Sequence, residues 1–205
     1  MIYILTGGPA TGKGTRSKIL AKELNIPHIS TGDMLREVAQ NDKYIADELA
    51  AGHLIDDETV TKLLEERIRK EDCNNGFVLD GYPRTYPQAL LLDDLLKRNG
   101  REITKVMELV IPDELAFDRI LKRQKCDNCG RDYGIDFPPK VKDVCDDCGG
   151  RLSVRTDDTK ESLAIRIETY RKNSKDILDY YRKKNLLMTC DASHHPETVI
   201  DDAKA

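Results

Sequence analysis

The chain contains no tryptophan, three phenylalanines and four histidines among 205 residues. A surface that holds single-stranded nucleic acid by stacking needs aromatic rings, and this sequence has few to offer. Excess positive charge is missing too: 33 Lys and Arg stand against 37 Asp and Glu, a net charge of −4. That balance argues against a non-specific binder of nucleic acid or of an anionic membrane, so a polyanionic ligand must be met by locally placed arginines. No apolar run approaches the length of a membrane span. The opening MIYILTGG reaches glycines quickly and carries no basic leader, which predicts an intracellular, cytoplasmic protein. Internal repeats and low-complexity segments are also absent. What remains is a charge-rich globular composition, long enough for one well-buried core carrying small lobes.

Residues 2–5 (IYIL) read as a short strand, followed by a glycine-rich turn and a helix over 13–24. Residues 28–30 suggest a second strand, and Thr31 opens a helix whose apolar face is Met34, Leu35 and Val38. Helices are expected over 42–51 and 57–70, a buried strand over 76–80 and a helix over 86–98. A strand over 105–111 and a helix over 113–123 come next. From Lys125 to about Arg155 the composition changes to four Cys, four Gly, two Pro and many Asp, without helical periodicity. So few apolar residues cannot fix a fold alone, and the segment reads as an inserted mini-domain that needs a staple. A long amphipathic helix with an expected bend covers 159–184, then a strand over 186–189 and a last helix over 196–203. Strands alternating with helices predict an α/β fold with a parallel sheet covered on both faces.

The turn Gly7-Gly8-Pro9-Ala10-Thr11-Gly12-Lys13-Gly14-Thr15 sits between the first strand and the first helix. Backbone N–H groups in such a loop, with the positive end of the helix behind them, can surround a phosphate chain, and Lys13 adds a mobile charge. A hydroxyl is wanted beside a bound Mg²⁺. The usual pattern has Ser or Thr directly after the Lys; here Gly14 intervenes and Thr15 carries the hydroxyl. The loop predicts nucleoside triphosphate binding and says nothing of the reaction.

Cysteines stand at 73, 126, 129, 145, 148 and 190. Four of them form Cys126-x2-Cys129-x15-Cys145-x2-Cys148, two tight knuckles at zinc-ribbon spacing. A four-thiolate site leaves no open position, so the expected Zn²⁺ is structural. Cys73 and Cys190 read as inert.

The GKGT ending of the loop begins a resemblance to the nucleoside monophosphate kinase family, of the adenylate kinase type with a long zinc-bearing lid. Ser30-Thr-Gly-Asp-Met-Leu-Arg36 resembles the start of its AMP-site helix. Asp80-Gly-Tyr-Pro-Arg-Thr85 with Gln88 resembles its DGFPRTxxQ signature, and Arg155-Thr-Asp-Asp158 with Arg166 its RxDD…R segment. The motifs run in the family's order over nearly the whole chain. The resemblance implies a P-loop three-layer core over 1–29, 60–122 and 157–205, a helical NMP-binding lobe over 30–59 and a zinc-binding lid over 123–156.

It also implies reversible in-line phosphoryl transfer from Mg·ATP to AMP, giving two ADP, in a closed site without water. Such a transfer needs no protein nucleophile and no general base, since the attacking phosphate oxygen is already anionic. The demand is for cations from several segments. By resemblance, Lys13, Arg84, Arg123, Arg155 and Arg166 form the catalytic set. Gly8, Ala10, Thr11, Gly12, Gly14, Thr15, Arg119, Asp132, Tyr133 and His194 join Lys13 and Arg123 on ATP, with Arg119 stacked on the base. Thr31, Arg36, His53, Leu54, Ile55, Gly81 and Gln88, with Arg84, Arg155 and Arg166, hold AMP, and Gln88 meets the adenine edge. Asp80 and Thr15 hold Mg²⁺ through water, and Asp157 and Asp158 support the lid arginines. A monomer is implied by analogy, with ATP, AMP and ADP as partners.

Three departures from the family pattern stand out. Ala10 replaces a usual glycine, Gln124 replaces a common second arginine, and the stretch from Arg36 to Gly52 is short. A UMP/CMP kinase, a GTP:AMP phosphotransferase, a P-loop hydrolase and a zinc-ribbon nucleic-acid module are the alternatives. The long lid, Thr85 and Gln88 argue against the first, and the acidic balance against the last.

Overall fold

The computed structural model describes residues 1–155 and 158–204. Strands β1 (Ile2–Gly7), β2 (His28–Ser30), β3 (Phe77–Asp80), β4 (Lys105–Val110) and the later β8 (Leu187–Asp191) form one sheet in the order β2-β3-β1-β4-β8. All its pairings are parallel. The chain first builds to one side of β1 and then to the other. Loops at the carboxyl ends of β1 and β3 therefore part there and leave a crevice, the usual place for a ligand in such a sheet.

The central strands are buried on both faces, which is why they read as near-continuous apolar runs. Phe77, Val78 and Leu79 are 0 % exposed, and Ile4 likewise. One core lies on one face, where Ile2, Ile4, Phe77 and Leu79 meet Leu64, Leu92, Leu96 and Tyr181. A second lies on the other, where Leu5, Val78, Met107 and Leu109 meet Leu20, Ala21 and Val199.

The helices start where the sequence supplies caps. In α2 (Thr31–Val38), Ser30 accepts from the Asp33 N–H, and in α3 (Lys43–Ala51) Asp42 accepts from Ile45. In α4 (Asp57–Ile68), Asp56 accepts from Thr59, and in α5 (Tyr86–Arg98) Thr85 accepts from Gln88. The long α7 (Lys160–Lys183), capped by Thr159, is a single helical element of 24 residues. Helix α1 (Lys13–Leu24) has no side-chain cap, while α6 (Asp113–Leu121) and α8 (Thr198–Lys204) complete the outer layers.

Between α6 and α7 a separate antiparallel sheet forms from β5 (Gln124–Cys126), β6 (Asp132–Tyr133) and β7 (Leu152–Ser153), in the order β6-β5-β7. Its buried cluster is Cys126, Tyr133, Cys145 and Leu152, far too little apolar surface to hold a domain unaided. No helix among the described residues is long and apolar enough to cross a membrane.

Candidate active site

Helix α1 begins directly out of Gly12, whose φ is 79°. Without a side-chain cap its first N–H groups are left for whatever occupies the loop. A Cβ on Gly12 would lie 2.6 Å from Arg16 Nη1, so the position requires glycine for space as well as for backbone sign. Arg16, only 2 % exposed, donates to the carbonyls of Thr11, Ala192 and His194 and ties the loop to the segment after β8. Ala10 has φ 62°, so the loop accepts the left-handed conformation without the glycine that would relieve it.

Lys13 Nζ folds over the loop and donates to the carbonyls of Gly7 at 2.8 Å and Gly8 at 2.6 Å. Burial of this ammonium, opposed by Asp80 and reinforced by Arg84, Arg166 and Arg123, pulls its pKa down to about 7. Asp80 ends β3 in register with Leu5 of β1 and Ser30 of β2, which sets its carboxylate at the foot of the loop. It is 8 % exposed, and His28 Nε2 stands 3.6 Å from it. Asp80 and Thr15 line the same cleft, an oxygen donor set of the kind Mg²⁺ takes with its waters.

That cleft has a volume of about 220 Å³ and collects Lys13, Arg36, Arg84, Arg119, Arg123, Arg155 and Arg166 from separate elements. A smaller cavity of about 50 Å³ shares Arg36, Arg84 and Arg166 with it and runs back to Thr31, Leu35, Ile55, Val60 and Gln88. Asp158, whose side chain is fully buried, gathers two of the arginines. Arg123 grips it with two donors, one at 2.7 Å, and Arg166 reaches it at 3.3 Å.

The cysteine-bearing sheet is docked over the cleft. Asp132 of β6 accepts from Lys18 of α1 at 2.8 Å and from Arg155 at 3.0 Å. Burial alone would raise the Asp132 pKa, but those two cations outweigh it and hold the carboxyl below its usual range. Asp136 pairs with Arg119 at 3.0 Å, and the Phe137 ring meets His195 edge-on with centroids 5.4 Å apart. On the far side Lys125 of β5 reaches Asp33 of α2 at 3.0 Å. Asp33 also holds Arg36 at 2.9 Å. Burial would raise the Asp33 pKa too, yet Arg36 and then Lys125 keep it well below the ordinary carboxylate range.

The sulfurs of Cys126, Cys129, Cys145 and Cys148 all lie within 4.8 Å of one another. The pairs 126–148 and 129–145 stand 3.5 and 3.6 Å apart. Thiolates about 2.3 Å from a tetrahedral zinc would be roughly 3.8 Å apart, so the donor set fits that ion. The N–H groups of Asn128 and Cys129 point at Cys126 Sγ, and the Tyr133 hydroxyl donates to Cys145 Sγ at 3.3 Å. The Tyr133 bond, followed by backbone N–H donors, holds the Cys145 thiol down at about 6. Cys190 and the neighbouring His194 and His195 form no such cluster among the described residues.

Sequence comparison settles the lineage of this arrangement. The adenylate kinase family model matches residues 5–186. The chain belongs to the adenylate kinase family. The adenylate kinase of Caldanaerobacter subterraneus subsp. tengcongensis is 42% identical over 209 residues, covering 100% of this chain and 95% of the relative. That of Caldicellulosiruptor bescii is 41% identical over 209 residues, 100% of this chain and 96% of the relative. That of Clostridium tetani is 39% identical over 207 residues, 98% and 96% respectively. The resemblance read from the motifs is therefore borne out, and the UMP/CMP, GTP-dependent, hydrolase and nucleic-acid alternatives are not favoured.

Within this fold, the structure brings most of the expected residues to the two cavities. Ala10, Gly12, Lys13, Gly14, Thr15, Arg119, Arg123, Asp132 and Tyr133 line the larger one. Thr31, Arg36, His53, Leu54, Ile55, Gly81, Arg84, Gln88 and Arg166 line the smaller one. Gly8 and Thr11 serve the loop itself: both accept from Lys13, and Thr11 donates to the Gly8 carbonyl. His194 is not among the residues lining the cleft; its side chain is 69% exposed and stands 3.3 Å from Asp191, while its backbone carbonyl accepts from Arg16. Tyr133 borders the cleft but is 3% exposed, its hydroxyl committed to Cys145 and the Asp146 N–H. Asp157 lies outside the described residues. Sequence reasoning gave no role to Lys125, Asp136 or Lys18, because no motif joins them to their partners; Asp33 falls inside the motif over 30–36, but its contact with Lys125 could not be read there.

Proposed function

We propose that the chain transfers a phosphoryl group between Mg·ATP in the larger cleft and AMP in the smaller cavity, in line and with water excluded. The observation that carries this is the convergence of Lys13, Arg36, Arg84, Arg123, Arg155 and Arg166 on two adjoining cavities that share three of those arginines. Two polyanions brought together need such charge, already oriented before the reaction, to offset their repulsion and the charge that develops on transfer. Lys13 follows the transferring group, Arg84 and Arg36 hold the acceptor phosphate, and Arg123, Arg155 and Arg166 screen the shared phosphates. Asp158 keeps Arg123 and Arg166 aimed inward. Arg119, held edge-on by Ala192 and Asp136, leaves its flat faces for the donor base. Gln88 and Thr31 meet the acceptor base among Leu35, Ile55 and Val60, an apolar slot suited to a flat ring.

Asp80 and Thr15 would hold the Mg²⁺ that arrives as Mg·ATP, which when bound would offset phosphate charge. The segment 123–156 acts as a lid whose Zn²⁺, bound by Cys126, Cys129, Cys145 and Cys148, is structural. Residues 30–59 form the AMP lobe and the rest the core. A cytoplasmic monomer without nucleic acid is the corresponding assembly, supported for nucleic acid by the net charge of −4. ADP formation from Mg·ATP, offered AMP, UMP, CMP or GMP separately, tests the reading. Turnover is expected with AMP, and Arg84→Ala should lower it by about 10²–10³-fold. Turnover confined to another acceptor, or ATP loss that ignores every acceptor, would overturn it.

A further inference from the structure

Gln88 is 2% exposed at the back of the smaller cavity, and its amide has a fixed polarity. Its Oε1 accepts the Arg84 backbone N–H at 2.6 Å, and its Nε2 donates to Asp57 Oδ1 at 2.7 Å. A backbone amide can only donate and a carboxylate can only accept, so these neighbours admit one of the two amide orientations. One lone pair on Oε1 and one hydrogen on Nε2 remain for a ligand. Asp57 itself lies in the first turn of α4, outside the lining of the smaller cavity, and its side chain reaches that lining at Gln88. Its backbone carbonyl accepts from Thr61, whose hydroxyl bonds Tyr82 at 2.8 Å, so the whole turn is anchored to the core.

We infer that Asp57 is a positioning residue for acceptor specificity: by locking the Gln88 amide it makes the site select a 6-aminopurine over a 6-oxopurine. The inference rests on the reading of the smaller cavity as the acceptor-base site. A 6-aminopurine offers an acceptor at N1 and a donor at its amino group, and both remaining valences of Gln88 match. A 6-oxopurine offers a donor at N1 and an acceptor at O6, the reverse pattern. Only a flipped amide would fit it, and the flip would turn the Gln88 carbonyl oxygen toward a carboxylate. A buried mismatch of that kind discriminates far more strongly than a difference in size.

IMP is the clean probe, because it differs from AMP only at that edge and carries no 2-amino group. The experiment measures kcat/KM for AMP and for IMP, with KM for ATP, in the wild type, Asp57→Asn, Asp57→Ala and Gln88→Ala, after thermal melting shows each variant folded. Asp57→Asn keeps the shape but can donate as well as accept, so the preference for AMP over IMP should fall about tenfold while KM for ATP stays unchanged. Asp57→Ala should move the preference the same way. Equal losses on AMP and IMP, or an unchanged preference in both Asp57 variants, would overturn the inference. If Gln88→Ala erases a preference that the Asp57 variants retain, the base-site reading stands and only the role of Asp57 falls. If Gln88→Ala retains the preference, the base-site reading falls and takes the inference with it.

Discussion

Lys13 sits in a conflict between its protein surroundings and the ligand it is built to meet. Burial, with Arg84, Arg166 and Arg123 nearby, pulls its pKa to about 7 although Asp80 pulls the other way, whereas a polyphosphate would restore the charge. In the unfolded chain the amine keeps its proton to about pH 10.4. Between about pH 7 and that value the unfolded state binds more protons, so the residue's unfavourable contribution to stability is full below about 7 and fades as pH rises. Binding has the opposite slope. Above about pH 7 the free lysine is neutral and must take up a proton as the phosphates arrive, so ATP affinity should fall by up to about tenfold per pH unit. Calorimetric titration at about pH 8, in buffers of different ionisation enthalpy, should record proton uptake in the wild type and none in Lys13→Met. Equal wild-type affinity at about pH 6.5 and 8.5 would contradict the account.

At the scale of the element, the cysteine-bearing sheet has too small a core of its own to fix its fold. Its buried residues are Cys126, Tyr133, Cys145 and Leu152, and half of these are sulfur donors. Stability there should track metal: one tightly bound zinc per chain is expected, and a chelator should lower the melting temperature. The loss should be concentrated in hydrogen-exchange protection of residues 124–153, with the five-stranded sheet keeping its own. Unchanged protection in metal-free protein would remove the staple from the account. This element also marks how far the sequence could be read. The CxxC pairs were legible because zinc chemistry fixes their spacing, and the phosphate loop because glycines and a lysine fall between a strand and a helix. Strands β5, β6 and β7 were not, because two- and three-residue strands held by a staple carry no periodicity. Tyr133 was expected on ATP, yet its hydroxyl serves Cys145, a contact that depends on how two knuckles close and that no local pattern announces.

Across the whole molecule, ion pairs between segments far apart in sequence join the walls of the cleft. Lys125 and Asp33 are separated by 92 positions, and their bond joins the lid to the helix that carries Arg36. Lys125 is particular to the tertiary arrangement: it does not line the cleft, and its hydrogen bond goes to Asp33, which holds Arg36 at 2.9 Å. On the proposed function, closing the segment 123–156 over ATP would bring a second cation to the carboxylate that orients Arg36 at the acceptor site. Occupancy of one site should favour occupancy of the other, and linkage requires the coupling to be the same in both directions. The pair is about one-third exposed, with side-chain values of 27% and 39%, so solvent and salt limit its worth to roughly 0.5 kcal/mol. We expect AMP to tighten binding of a non-hydrolysable ATP analogue in the wild type. Lys125→Met should reduce that tightening about twofold, and added salt should reduce it further in the wild type than in the variant. The double variant with Asp33→Asn should show no further loss attributable to Lys125, because their contributions share one contact. Additive losses in that cycle would mean that the lid and the AMP lobe close independently, each on its own nucleotide.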